Sequence, residues 1–288
     1  VIIGAGATGV EFSHIYNSYG VEVVLVELMD RIVPSEDEEI SAELQKSFND
    51  KGIQSIIGAS VESIETSMGQ ATVNIQSETD TSSINCDKVL VAVGVQANTD
   101  GIGLENTGVV TDKGFISVGP NMETNVTGIY AIGDVTGQML LAHVASAQAV
   151  TAAEYIGGIN PPQLDYGLMP KAIYCEPQIA SFGLTETQAK DQGISIKIGK
   201  FPFAASGKAI ALAETDGLIK LIVDDEIGEI IGAHMIGSEV TELLGELSMV
   251  RLLEGTSTEL GWLVHPHPTI SETLKEAALD TFGEAIHI

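Results

Sequence analysis

The chain opens on Val1-Ile2-Ile3, a β-branched apolar run of the kind that fills a strand buried on both faces. Apolar positions then return at helical spacing at Phe12, Ile15, Tyr16 and Tyr19, and Gly20 is placed to end that helix. Val21 to Val26 is a second β-branched run. Pro34 to Lys51 reads as a second helix, with Ser35 and Glu38 as a capping box, Ile40, Leu44 and Phe48 as its apolar stripe, and Gly52 as its stop. Strands are expected over Val61 to Glu65, Ala71 to Gln76 and Lys88 to Val93, and a buried strand over 128–134 leads into a helix from about His143 to Tyr155. Beyond residue 166 come strands around Lys171 to Tyr174, Ile194 to Phe201, Gly217 to Val223 and Glu229 to Met235. A helix near Glu239 to Leu253 and a last one over Ser271 to Asp280 close the chain. Met249 and Trp262 are assigned to the core.

Charge narrows the partners. With 13 Lys and Arg against 40 Asp and Glu, the net charge of -27 repels phosphate backbones and anionic lipid at long range, so neither nucleic acid nor a membrane surface is an expected partner. The two cysteines, Cys86 and Cys175, form neither a disulfide framework nor a metal-type cluster. No apolar run reaches the length of a membrane span and no signal-type segment is present, so the expected location is cytoplasmic. The first residue already lies inside a strand-like run, and a stretch of chain upstream of Val1 is therefore expected.

The chemistry begins between the first strand and the first helix. Gly4-Ala5-Gly6-Ala7-Thr8-Gly9 is a Gly-x-Gly-x-x-Gly turn, a weak signal alone. Here a strand precedes it, an amphipathic helix follows, and Glu27 ends the next strand, which together predict a Rossmann-like NAD-binding unit. Gly4 makes the tight turn, Gly6 admits the pyrophosphate, Gly9 allows close helix–strand packing, and the helix N-terminus attracts the anion. Glu27 takes the adenine-ribose hydroxyls and repels the extra phosphate of NADP, so NAD is the expected cofactor. Glu11, on the first helical turn, either reaches the nicotinamide end or simply answers the helix dipole. Gly94, ending the strand from Lys88, offers a second backbone approach to the nucleotide.

Residues 128–134 read Gly-Ile-Tyr-Ala-Ile-Gly-Asp, with Gly133 and Asp134 at the carboxyl end of the expected strand, where α/β folds place ligands. Spacing alone leaves Asp134 equally open to a capping or turn role. This segment resembles the Ala-x-Gly-Asp stretch of the two-dinucleotide flavoprotein disulfide reductases, and the resemblance continues to the end of the chain. Met139-Leu140-Leu141-Ala142-His143 is similar to the family segment that passes the flavin pyrimidine ring, and Lys200-Phe201-Pro202-Phe203-Ala204-Ala205 to the start of its interface domain. His265-Pro266-His267-Pro268-Thr269-Ile270-Ser271-Glu272 resembles the dihydrolipoamide dehydrogenase branch more than the glutathione or mercuric reductases. The resemblance implies an α/β NAD-binding domain over 1–99, a central segment over 100–165 completing an FAD-binding domain, and an α+β interface or dimerisation domain over 166–288. It also implies FAD as a second cofactor, with Gly133, Asp134, Leu141, Ala142 and His143 lining it.

In that family the histidine matching His267 is the general base toward the dithiol, and the glutamate matching Glu272 orients its ring. The chemistry is sound, because only a thiolate attacks a disulfide and a histidine titrates near neutral pH. Taken by themselves, Thr269 and Glu272 also spell a capping box for the last helix. A metal reading of His265 and His267 lacks further ligands at a recognisable spacing. Family chains begin with an FAD-binding domain and a Cys-x4-Cys redox pair that this sequence does not contain, so the chain alone is expected not to turn over. The implied activity is oxidation of protein-bound dihydrolipoamide, carried by the lipoyl domain of a 2-oxo acid dehydrogenase complex, by a homodimer in which His267 serves the other subunit's site. The alternatives are another FAD-dependent disulfide reductase and a non-catalytic NAD-binding dimerisation module.

Overall fold

The computed structural model describes residues 1–78 and 80–287. The N-terminal apolar run forms β1 (Ile2–Ile3), followed by α1 (Ala7–Ser18), β2 (Val24–Val26), α2 (Glu38–Asp50) and β3 (Gln54–Ile56). An antiparallel meander of β4 (Ala59–Ser67), β5 (Gln70–Ser77) and β6 (Thr81–Cys86) comes next, and then β7 (Leu90–Val91). β7 pairs with the free side of β1, which completes a parallel sheet in the order β3-β2-β1-β7. This is the expected strand-helix-strand architecture. β6 went unpredicted because Thr81-Ser82-Ser83-Ile84-Asn85-Cys86 has too few apolar positions to show a period, and pairing with β5 is what extends it.

Residues 94–169 form a compact unit of their own. It holds a short hairpin, β8 (Thr111–Asp112) and β9 (Phe115–Ile116), and the helix α3 (Ala142–Ile156). The strand expected over 128–134 is absent as such. A single bridge joins Tyr130 to Glu123, and Gly133–Thr136 is a 3-10 turn, because Gly128 and Gly133 both take positive φ and break the extension on either side.

From Pro170 onward the chain continues with β10 (Lys171–Ile173), β11 (Gln178–Gly183), α4 (Glu186–Asp191), β12 (Ile196–Pro202), α5 (Gly207–Leu212), β13 (Leu218–Asp224) and β14 (Ile230–Gly237). The helices α6 (Val240–Leu252), α7 (Ser257–Trp262) and α8 (Glu272–Asp280) end it. The five strands make one antiparallel sheet in the order β10-β11-β14-β13-β12, with α8 packed on β12 and β13. β11 was not anticipated. Trp262 and Met249 were assigned to the core, but they are 74% and 54% exposed, and Leu252, Leu253 and Val264 are exposed as well. The stripe of α1 also departs from expectation: Gly9, Val10 and Ser13 face the core, while Tyr19 is 84% exposed.

Residues 1–93 and the chain from Pro170 form one compact unit, and one core cluster draws on both stretches. Leu25, Ile40, Leu44 and Phe48 of the first part cluster with Ile173, Ile179 and Ile236 of the second. A polar row crosses the antiparallel sheet beside that core. Lys171, Ser181, His234, Lys220 and Lys200 stand opposite one another on the five successive strands. They meet the acidic start of α2: Lys171 and Ser181 hold Glu36 at 3.2 and 2.6 Å, Lys220 reaches Asp37 at 2.8 Å, and Lys200 and Lys220 reach Glu39 at 2.7 and 2.9 Å. Glu186 of α4 joins at 2.7 Å from Lys220. The expected Ser35–Glu38 capping box is replaced accordingly. Asp37 caps α2 through the Glu39 amide, because the same carboxylate is already anchored by Lys220.

The row makes stability pH-dependent in a calculable direction. Burial pushes the Asp37 and Glu39 carboxyls up, but the bonds and charges of Lys220 and Lys200 outweigh it and hold both low. Bonds from Lys190 and Lys220 bring Glu186 down to about 2. Stabilisation from these depressed carboxyls is complete above their ordinary values of 3.8 and 4.5 and is lost as pH falls through the folded values. His234 is buried, which lowers its pKa below 6.5, so its neutral form is built into the fold and stability also declines as pH drops below 6.5. The melting temperature followed by circular dichroism is expected to fall gently below pH 6.5 and steeply below pH 4.5; a flat profile down to pH 3 would contradict the assignment.

Candidate functional site

The glycine turn has the shape its residues predict. Gly4 sits at φ +96°, and a Cβ there would lie 2.5 Å from the Ala92 carbonyl oxygen. At Gly9 a Cβ would stand 1.9 Å from the Gly4 oxygen, so the helix can pack against the turn only with glycine. At Gly6 the space is open and no side chain caps α1, which leaves the first amides of the helix aimed outward for an anion. Gly9→Ala is therefore expected to destabilise the chain by about 1–3 kcal/mol through overpacking and to abolish nucleotide binding. Calorimetric titration and a urea melt would show both effects, and unchanged affinity would refute the turn's role.

Glu27 is 8% exposed at the end of β2. Its Oε2 accepts from the Ala5 amide at 2.6 Å and its Oε1 from the Met29 amide at 2.9 Å. The carboxylate thus ties the glycine turn to the end of β2, and each oxygen keeps a lone pair for a hydroxyl donor. Glu11 lies on the second turn of α1, not the first, and its Oε1 accepts from the Tyr174 amide at 2.9 Å. The helix-dipole alternative loses its basis, since no acid occupies the first turn.

In the unit of residues 94–169, Gly94 takes φ +122° with open space where a Cβ would be. Gly133 is buried at φ +76° and presents Asp134 on the 3-10 turn with its side chain exposed. Leu141 precedes α3 as an uncapped N-terminus, with Ala142 and His143 exposed on its first turn. An exposed carboxylate for sugar-like hydroxyls and an open helix end for an electron-rich carbonyl edge suit a flavin ribityl chain and pyrimidine ring.

His267 and Glu272 meet as expected. His267 Nδ1 lies 2.9 Å from Glu272 Oε1, and the ring is 77% exposed, so its other nitrogen is open to a reactant. Glu272 Oε2 accepts from the Thr269 amide at 2.8 Å, so the carboxylate holds the histidine and also supplies the Glu half of the capping box. The Thr269 hydroxyl turns away to the Pro266 carbonyl, leaving the box one-sided. Burial pushes the Glu272 carboxyl up, but the Thr269 amide and His267 hold it below the ordinary range and keep it an acceptor. The pair borders a cleft of about 410 Å³ that Phe201, Ile210, Val264 and Ile286 also line. Beside it, His265 Nε2 lies 2.7 Å from Glu246 Oε1 on α6, an anchor that spacing along the chain did not reveal. Among the described residues no group of three or more His, Cys, Asp or Glu could hold a metal ion, and no helix is long and apolar enough to cross a membrane.

A family model described as pyridine nucleotide-disulphide oxidoreductase matches residues 1–149, and one described as the dimerisation domain of the same oxidoreductases matches 169–278. The dihydrolipoyl dehydrogenase of Bacillus subtilis (strain 168) is 46% identical over all of this chain and 61% of its own length. That of Corynebacterium glutamicum is 44% identical over all of this chain and 62% of its own. The chain thus spans about three-fifths of the length of these curated relatives. Among solved structures, LpdA from Mycobacterium tuberculosis matches with a TM-score of 0.88 and 26% identity over 96% of this chain and 60% of that one. The HOCl-induced flavoprotein disulfide reductase RclA from Escherichia coli matches at 0.89 and 28% over 96% and 62%.

Proposed function

The chain belongs to the pyridine nucleotide-disulphide oxidoreductase family, and we propose on that premise that it is the NAD-binding and dimerisation part of a dihydrolipoyl dehydrogenase. The observation that carries the reading is the contact between His267 Nδ1 and Glu272 Oε1. Glu272 accepts a hydrogen bond from Nδ1–H and so fixes the tautomer with Nε2 unprotonated. That nitrogen takes a proton from a dithiol, and the imidazolium that results is stabilised by the carboxylate behind it. The amides at the start of α1 and the Glu27 carboxylate hold NAD, and Glu11 ties α1 to the Tyr174 amide. Asp134, Gly133, Leu141, Ala142 and His143 hold FAD, which when bound supplies the electron relay between dithiol and NAD. The net reaction removes two electrons and two protons from dihydrolipoamide, closing its disulfide; NAD+ takes a hydride and one proton is released. The substrate is the lipoyl arm of a 2-oxo acid dehydrogenase complex in the cytoplasm.

The same reading makes the chain a homodimer. The exposed apolar side chains of Met249, Leu252, Leu253, Trp262 and Val264 are the kind a dimerisation domain covers with a second copy. Titration of the chain with NAD is expected to saturate, with NADP at least about tenfold weaker because Glu27 repels its phosphate. In the full-length enzyme, NADH should form only when dihydrolipoamide is supplied. No binding of either nucleotide would end the nucleotide reading, and reduction of NADP by two equivalents of glutathione instead would favour a different disulfide reductase.

A further inference from the structure

We propose that Gln148 is a positioning residue for the flavin-binding turn, an inference that rests on the reading of Gly133 and Asp134 as FAD contacts. Gln148 lies in the middle of α3 and is completely buried, although its neighbours Ala145, Ala147, Ala149 and Ala152 are all small and apolar. Its side-chain amide gathers three separate stretches of chain. Oε1 accepts from the Gly133 amide at 2.6 Å, and Nε2 donates to the Tyr166 hydroxyl at 2.9 Å and to Gln138 Oε1 at 3.3 Å. Residues 133, 138 and 166 share no regular secondary structure with one another, so this one amide sets their spacing.

The geometry explains why Gly133 needs such a partner. Its peptide sits at φ +76° between an extended Ile132 and the 3-10 turn, and a side chain there would press on Ala145 at 3.3 Å. Its carbonyl is held from the other side by the Thr136 hydroxyl at 2.8 Å. With both faces of the residue fixed, Asp134 has one direction in which to point. Among the described residues Gln148 is the acceptor that satisfies the buried Gly133 N–H, and an unsatisfied buried amide is costly enough to rotate the turn toward another acceptor. The acceptor atom does the positioning, while the Nε2 contacts hold the side chain itself in place.

The test is FAD affinity in the full-length apoenzyme, measured by recovery of flavin absorbance and visible circular dichroism, beside a thermal melt of each variant. Gln148→Met keeps the length and removes the acceptor, and FAD should bind about tenfold or more weakly. Gln148→Glu keeps an acceptor for Gly133 and can still receive the Tyr166 hydroxyl, so affinity should stay within about threefold of the parent. Tyr166→Phe, which folds with one lost hydroxyl, should weaken FAD by about threefold and serves as the reporter if Gln148→Met does not fold. A general packing role would lower the melting temperature of Gln148→Met while leaving its FAD affinity unchanged, and that outcome overturns the proposal. Equal losses in Gln148→Met and Gln148→Glu also overturn it. If Asp134→Asn and Gln148→Met both bind FAD like the parent, the flavin reading of the turn fails as well; if only Asp134→Asn is impaired, that reading stands and the positioning role alone is lost.

Discussion

Lys220→Met is expected to destabilise the fold by about 3–5 kcal/mol, the cost of leaving the buried Asp37 carboxylate without its cation. Lys220 is 3% exposed and lies within 2.9 Å of Asp37, Glu39 and Glu186, and Asp37 is itself 2% exposed. Burial works against the ammonium, yet its three carboxylate partners raise its pKa above the usual lysine value, so it stays charged throughout the physiological range. Removing it leaves Asp37, among the described residues, with the amides of Glu39 and Glu186 as its hydrogen-bond donors. The damage should extend to the nucleotide-binding part, because Asp37 caps α2 and α2 carries Ile40, Leu44 and Phe48 into the shared core. Lys190→Met is the internal control: that side chain is 62% exposed and pairs with the same Glu186, so its loss should cost less than about 1 kcal/mol. Urea unfolding of the two variants beside the parent measures the difference. Equal and small losses would mean that the polar row is ornamental to the fold.

The second large effect is catalytic. His267→Gln in the full-length enzyme is expected to lower dihydrolipoamide turnover about 10²–10⁴-fold, the range for loss of a positioned general base. NAD binding should be unchanged, since His267 lies on the loop before α8, remote in sequence from the glycine turn. Glu272→Gln should cost less but more than a neutral swap. A glutamine offers one oxygen where the carboxylate uses two, so it can serve the Thr269 amide or His267 Nδ1, not both. Activity set beside stability separates this from a pure capping role. Loss of the orienting carboxylate should lower kcat while the melting temperature changes little, whereas loss of a cap alone would lower the melting temperature and leave kcat in place. Retention of more than about a tenth of parental turnover by His267→Gln would remove it from the role of base.

Local chemistry made much of this protein legible before any coordinates. The glycine turn is readable because its requirements are short-range: a positive φ at Gly4, no room for a Cβ at Gly9, and a carboxylate one strand later at Glu27. The main helices were likewise placed to within a few residues, since α2, α3 and α6 carry their own periodicity and stops. The His267–Glu272 pair needed the whole-chain resemblance in addition, because five residues of spacing serve a capping box equally well.

What the linear chain withheld depends on distance and on partners. Lys171, Ser181, His234, Lys220 and Lys200 are scattered over some of the least distinctive stretches of the sequence, and only strand pairing lines them up against Glu36, Asp37 and Glu39. The cap of α2 shifted from Ser35 to Asp37 for the same reason, a lysine 183 positions away. Trp262 and Met249 look like core by residue type but lie at the surface, since burial follows from what packs against a side chain and not from its hydrophobicity. Gln148 is polar in a helix of alanines and would pass for an exposed position; its burial, and its hold on Gly133, exist only once α3 lies against the turn. Short-range sterics and periodicity are written in the order of residues, whereas a buried polar group acquires its meaning from partners that folding alone brings to it.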